Sequence, residues 1–137
     1  MRSFVKTFVF KTERTYELID ITRSVEEVVR ESGIKNGICL VYAPHATAAV
    51  VVNEHERGLM EDILRKIEEE FPRDGKWKHN IIDDNAAAHL GSVFLSTSKV
   101  FPVINGELIR GTWQNIFLVE MDGPRSRRRV LVQVLGE

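Results

Sequence analysis

Two short apolar runs, Ile38–Tyr42 and Ala48–Asn53, place the tightest constraint on how this chain can fold. Both carry β-branched side chains and neither alternates with polar residues. A strand on a solvated sheet face alternates, whereas a strand without a polar face needs cover on both sides. The runs therefore predict buried strands inside a layered domain. At 137 residues the chain is long enough to build such a core as one domain, spanning 1–137.

The flanking patterns supply the other elements. Residues 3–11 alternate with period two, and Thr15–Ile21 follows across a turn at Glu13–Arg14, which predicts an opening hairpin. Ser24 and Glu27 have capping-box spacing, and Gly33 suits the left-handed residue that ends a helix. From Glu56 the period becomes helical, with Leu59, Met60, Ile63, Leu64 and Ile67 on one stripe, and Pro72 stops it. Asp83 or Asp84 would cap a third helix over Ala86–Leu95. Asn105–Gly106 between apolar runs signals a type I′ hairpin turn. Thr112–Met121 and Arg127–Leu135 read as two further strands joined at Asp122–Gly123–Pro124. Together these predict a single compact α+β domain, mostly antiparallel sheet with about three helices.

Charge and composition narrow the partners. A net charge of −1 gives no global attraction for nucleic acid or anionic membrane, and neither is expected as a partner. The single cysteine, Cys39, lies in an apolar run and reads as a small core residue. With no apolar stretch of membrane-spanning length and no signal-like N-terminus, a cytoplasmic location is expected.

Polar chemistry gathers elsewhere. Trp77–His89 contains two of the four histidines, two aspartates and two asparagines. Imidazoles and carboxylates bind divalent metals or move protons near neutral pH. If a helix starts near Asp84, then Asn85 and His89 share a face, and His79 must fold back to meet them. Such a group is either a metal or catalytic site or a buried hydrogen-bonding network. His45 sits in the loop between the two apolar runs, with Thr47 two residues on. Glu54 ends the second run as ligand, base or helix cap; His55, among charges, reads as a surface residue. Gln114 interrupts an apolar strand, and a buried amide there needs partners. Arg125, Arg127 and Arg129 alternate, so in extended chain they point one way; they could grip phosphate or form a solvated edge strand protected by charge, the reading preferred for Arg129.

The pieces His45–Ala49 with Asn53–Glu54, Trp77–Asn80, Asp84–Leu90, Pro102–Gly106, Gly111–Gln114 and Asp122–Arg127 occur in an order that resembles the YjbQ-like family. The resemblance extends over nearly the whole chain. It implies a homotrimer and a pocket that holds a divalent metal, zinc or magnesium, through His45, His79 and His89. Glu54, Asp84, Asn85 and Gln114 would serve as catalytic groups, and Thr47, Arg125 and Arg127 would bind substrate. Ala46 and Ala87 stand where family members often carry Thr and His. The activity implied is that of a transferase on small phosphorylated substrates, a secondary thiamine-phosphate synthase. The expectation is thus a small metal-dependent enzyme, with a non-catalytic metal- or anion-binding module or structural trimer as the alternative.

Overall fold

The computed structural model describes residues 1–137, and it divides the strands between two sheets. In chain order the elements are β1 (Arg2–Phe10), β2 (Glu17–Asp20), α1 (Thr22–Ser32), β3 (Asn36–Tyr42), β4 (Ala48–Asn53) and α2 (Arg57–Glu70). A 3-10 turn at Lys78–Ile81 follows, then α3 (Ala86–Leu95), β5 (Ser98–Ile104), β6 (Glu107–Leu108), β7 (Asn115–Glu120) and β8 (Arg128–Gly136). The larger sheet has the order β1-β8-β3-β5-β6 and the smaller β2-β7-β4, with every pairing antiparallel. The architecture is α+β with three α-helices.

The main core lies between the sheets. Val41, Val132 and Val134 from the larger sheet meet Val50, Ile116 and Leu118 from the smaller, and Val25, Val28 and Val29 of α1 close one side. Each such side chain is worth about 1.5–3 kcal/mol when fully buried. On the far face of the smaller sheet, α2 and α3 pack over Ala49, Val119 and Met121 through Ile67 and Ala88. At Gly91 a Cβ would stand 2.4 Å from Met121 Sδ, so α3 can lie this close to the sheet only without one. β4 is therefore covered on both faces, as its composition predicts.

β3 is different. Its Cys39 and Val41 are buried, but Ile38 and Tyr42 face outward, 46% and 38% exposed. Val100 of β5 and Val5 and Val9 of β1 join them on the outer face of the larger sheet. Within one chain nothing covers this apolar surface, so the expectation of two covered faces fails for β3.

Local signals held where neighbours in sequence decide. Asn105 (φ 53°) and Gly106 (φ 77°) form the turn between β5 and β6, and Gly33 (φ 68°) ends α1. Three expectations are corrected. The opening hairpin does not form: β1 pairs with β8 and β2 with β7, because each strand's apolar side is matched from the far end of the chain. The Ser24–Glu27 capping box lies inside α1; Asp20 starts this helix instead, accepting from Thr22 N at 2.9 Å and Thr22 Oγ1 at 2.6 Å. Neither Asp83 nor Asp84 caps α3, whose Ala86 N–H donates to Asn80 Oδ1 at 3.1 Å.

Candidate functional site

The site forms where the loop after α2 folds back onto the start of α3. Two anchors hold the loop: Trp77 Nε1 donates to Pro72 O at 2.8 Å, and Arg73 Nη1 donates to Met121 O at 3.1 Å. This brings His79, on the 3-10 turn, against Asn85, the residue before α3. His79 Nε2 lies 3.0 Å from Asn85 Oδ1, and Asn85 Nδ2 donates to Asp122 Oδ2 at 2.9 Å. Since the amide donates to Asp122, its oxygen faces His79 and must accept; His79 Nε2 therefore carries a proton and Nδ1 keeps a free lone pair.

Asp122 orders the rest. Arg125 Nη2 donates to its Oδ2 at 2.8 Å, and Arg73 Nη2 stands 3.5 Å from Oδ1. Burial raises the Asp122 pKa, but hydrogen bonds from Asn85 and Arg125 and the two guanidinium charges outweigh it and hold the carboxyl below its ordinary range. The result is a relay from an anchored carboxylate through a buried amide to an imidazole.

His89, one turn into α3, links the histidines. Its ring meets that of His79 edge-on at 4.8 Å between centroids, and it shares an open cavity of about 380 Å³ with His45. His45 Nε2 accepts the Arg129 backbone N–H at 2.8 Å. Burial and the nearby charges of Arg128 and Arg129 push the His45 pKa down, which favours the neutral ring. A neutral imidazole accepting at Nε2 carries its proton on Nδ1, leaving no lone pair for a metal. No three His, Cys, Asp or Glu side chains gather to hold an ion. The donor set therefore does not fit the three-histidine metal centre that the resemblance implies.

The remaining residues separate. Thr47 is buried and accepts from Arg128 Nη2 at 2.9 Å rather than facing the cavity. Arg125 is half-exposed beside the relay, while Arg127 is exposed with no ion-pair partner. Asp84 is exposed. Glu54 and Gln114 lie at the other end of the smaller sheet, since Asn53 pairs with Asn115 while Ala48, beside Thr47, pairs with Glu120. Gln114 is exposed rather than buried, and its Oε1 accepts from Gly111 N at 2.7 Å to close its own turn.

Two features escape the sequence reading. Asp122 reads as a turn residue, and only its place in Asp122–Gly123–Pro124–Arg125 hints otherwise. Beneath the site, Arg128 and Glu120 form a buried ion pair. Glu120 also accepts from Thr12 Oγ1 at 2.7 Å and from the Met121 and Asp122 N–H groups at 3.0 and 3.1 Å. A lone carboxylate within the apolar run Ile116–Met121 was the available signal.

A two-sheet antiparallel α+β domain with a histidine cluster beside an Asn–Asp relay defines the class of protein. A family model described as UPF0047 protein YjbQ-like matches residues 6–137. A UPF0047 protein of Methanothermobacter thermautotrophicus is 45% identical over 100% of this chain and 95% of its own, and one of Archaeoglobus fulgidus is 49% identical over 91% and 96%. A crystal structure of a YbjQ-like protein of unknown function from Sulfolobus solfataricus, 60% identical, superposes with a TM-score of 0.98 over 99% of both chains. The chain belongs to the UPF0047 YjbQ-like family. No helix is long and apolar enough to cross a membrane.

Proposed function

We propose that this protein is a small acid–base enzyme acting on a phosphorylated small molecule, with thiamine-phosphate formation as the candidate reaction. The observation that carries the reading is the Asp122–Asn85–His79 relay, which aims one imidazole with a set tautomer beside a second, His89. In the candidate reaction a thiazole nitrogen attacks a pyrimidine methylene carbon; the C–N bond forms as the C–O bond to diphosphate breaks. His79 in its charged form would supply a proton to the departing pyrophosphate. Arg125, tethered by Asp122 but half-exposed, would be the cation that binds it. Of the three histidines that would hold a divalent ion, only His79 and His89 keep a free lone pair, so no step runs through one.

The test is calorimetric titration with inorganic pyrophosphate. Binding that weakens about tenfold or more in Arg125→Ala supports the assignment, as expected for losing a hydrogen bond to a charged group. No binding by the wild type, or unchanged affinity in the variant, overturns it.

A homotrimer is proposed on a separate observation, the uncovered apolar face carrying Ile38, Tyr42 and Val100. Isolated exposed apolar residues are ordinary, but a contiguous sheet face marks an association surface. Ile38→Glu at the centre of that face would give a monomer by sedimentation where the wild type gives a trimer. A monomeric wild type refutes the assembly.

A further inference from the structure

The largest cavity, an open cleft of about 680 Å³ between α2 and the segment leading into β2, holds none of the residues of the histidine site. It is lined by His55, which the sequence pattern makes an ordinary surface residue. Leu18, Met60 and Leu64 form its apolar part, and Arg14 and Arg57 stand among its charged residues. Tyr16 lines it too; its Oη is buried with no hydrogen-bond partner within the chain, although the Arg73 guanidinium is nearby.

His55 is oriented. Its Nδ1 lies 2.6 Å from Asp20 Oδ2, which also accepts Asn115 Nδ2 at 2.8 Å. The other oxygen, Oδ1, takes Thr22 N and Thr22 Oγ1. Four donors thus converge on one carboxylate. Burial raises the Asp20 pKa, but these hydrogen bonds more than reverse that and hold it at about 2. An ionised carboxylate only accepts, so the shared proton belongs to His55 Nδ1, and neutral His55 presents a bare Nε2. The ring rests against Phe117, 5.6 Å between centroids. A base held by a second group, beside a cavity, is the geometry of general-base catalysis.

We propose that His55, positioned by Asp20, is a second catalytic centre, independent of the histidine relay, that hydrolyses small uncharged carboxylic esters bound in this cleft. The apolar lining suits an acyl or aryl group. Nε2 takes a proton from water as the water oxygen bonds to the carbonyl carbon. The tetrahedral oxyanion collapses, the ester C–O bond breaks, and the imidazolium returns its proton to the departing alkoxide. Acid and alcohol leave, and Asp20 stays ionised throughout. Arg57, held to Glu61 only through Nε at 3.5 Å, is a cation available to the oxyanion.

p-Nitrophenyl acetate is the probe, with His55→Gln, Asp20→Asn and Met60→Trp as variants. His55 is exposed, so His55→Gln should fold normally, and it should lose about 10²-fold or more of the wild-type rate. Met60→Trp fills the cleft and should lose the rate while leaving the His55–Asp20 pair in place. Nitrogen-15 NMR of the imidazole supplies a readout that does not need turnover: protonated Nδ1 and bare Nε2 in the neutral wild-type ring, a preference lost in Asp20→Asn. An undiminished rate in His55→Gln, or a neutral His55 protonated at Nε2, overturns the proposal.

Discussion

Arg128→Met is expected to lower the unfolding free energy by about 3–5 kcal/mol, the cost of leaving a buried charge without its partner. Arg128 and Glu120 are both buried, and Arg128 Nε and Nη2 both donate to the Glu120 carboxylate. Removing the guanidinium leaves that carboxylate with three neutral donors, from Thr12, Met121 and Asp122. The pH dependence distinguishes this cause from simple loss of packing. Burial raises the Glu120 pKa, but Arg128 and Thr12 outweigh it, so the folded value lies below the ordinary one. A lowered folded value contributes stability above the unfolded pKa, about 4.3 for Glu, and loses it as pH falls through the folded value. Urea denaturation at pH 7 should therefore show the full deficit of Arg128→Met. Near pH 3 the difference should narrow, because the carboxyl is then largely protonated in the unfolded chain. An unchanged midpoint at pH 7 would contradict the buried pair.

The second large effect concerns rate. In the proposed pyrophosphate-releasing reaction, His79→Ala should reduce turnover by about 10²–10⁴-fold, the usual range for a positioned acid–base group. His79 is only partly buried, so the same change should cost little stability. Asn85→Leu keeps the size of the buried side chain and removes the link to Asp122. It should lower the rate while His79 remains present, since the imidazole loses the partner that sets its tautomer. Steady-state assays beside thermal melts read both. If His79→Ala turns over like the wild type, the acid–base assignment fails; if it melts far lower instead, the histidine belongs to a structural network.

Several outcomes were legible locally. The helix from Arg57, its end before Pro72, the Asn105–Gly106 turn and the cover on both faces of β4 follow from period, turn chemistry and composition. His79, Asn85 and His89 were also readable, because six residues of loop and one helical turn bring them together. Glu54 and Gln114 show where that reading ends. They are placed by β4 and β7, which carry them to the opposite end of a sheet from Ala48 and Glu120.

The sequence by itself determined which segments are strands and helices, since side-chain periodicity and backbone preference act over a few residues. The tertiary structure alone decided that β1 leaves β2 for β8, that Arg128 reaches Glu120 and Thr47, and that His55 meets Asp20 across thirty-five positions. Those partners are chosen by how two apolar sheet faces close on each other, and a buried charge has to find its counterpart among the residues that closure brings near.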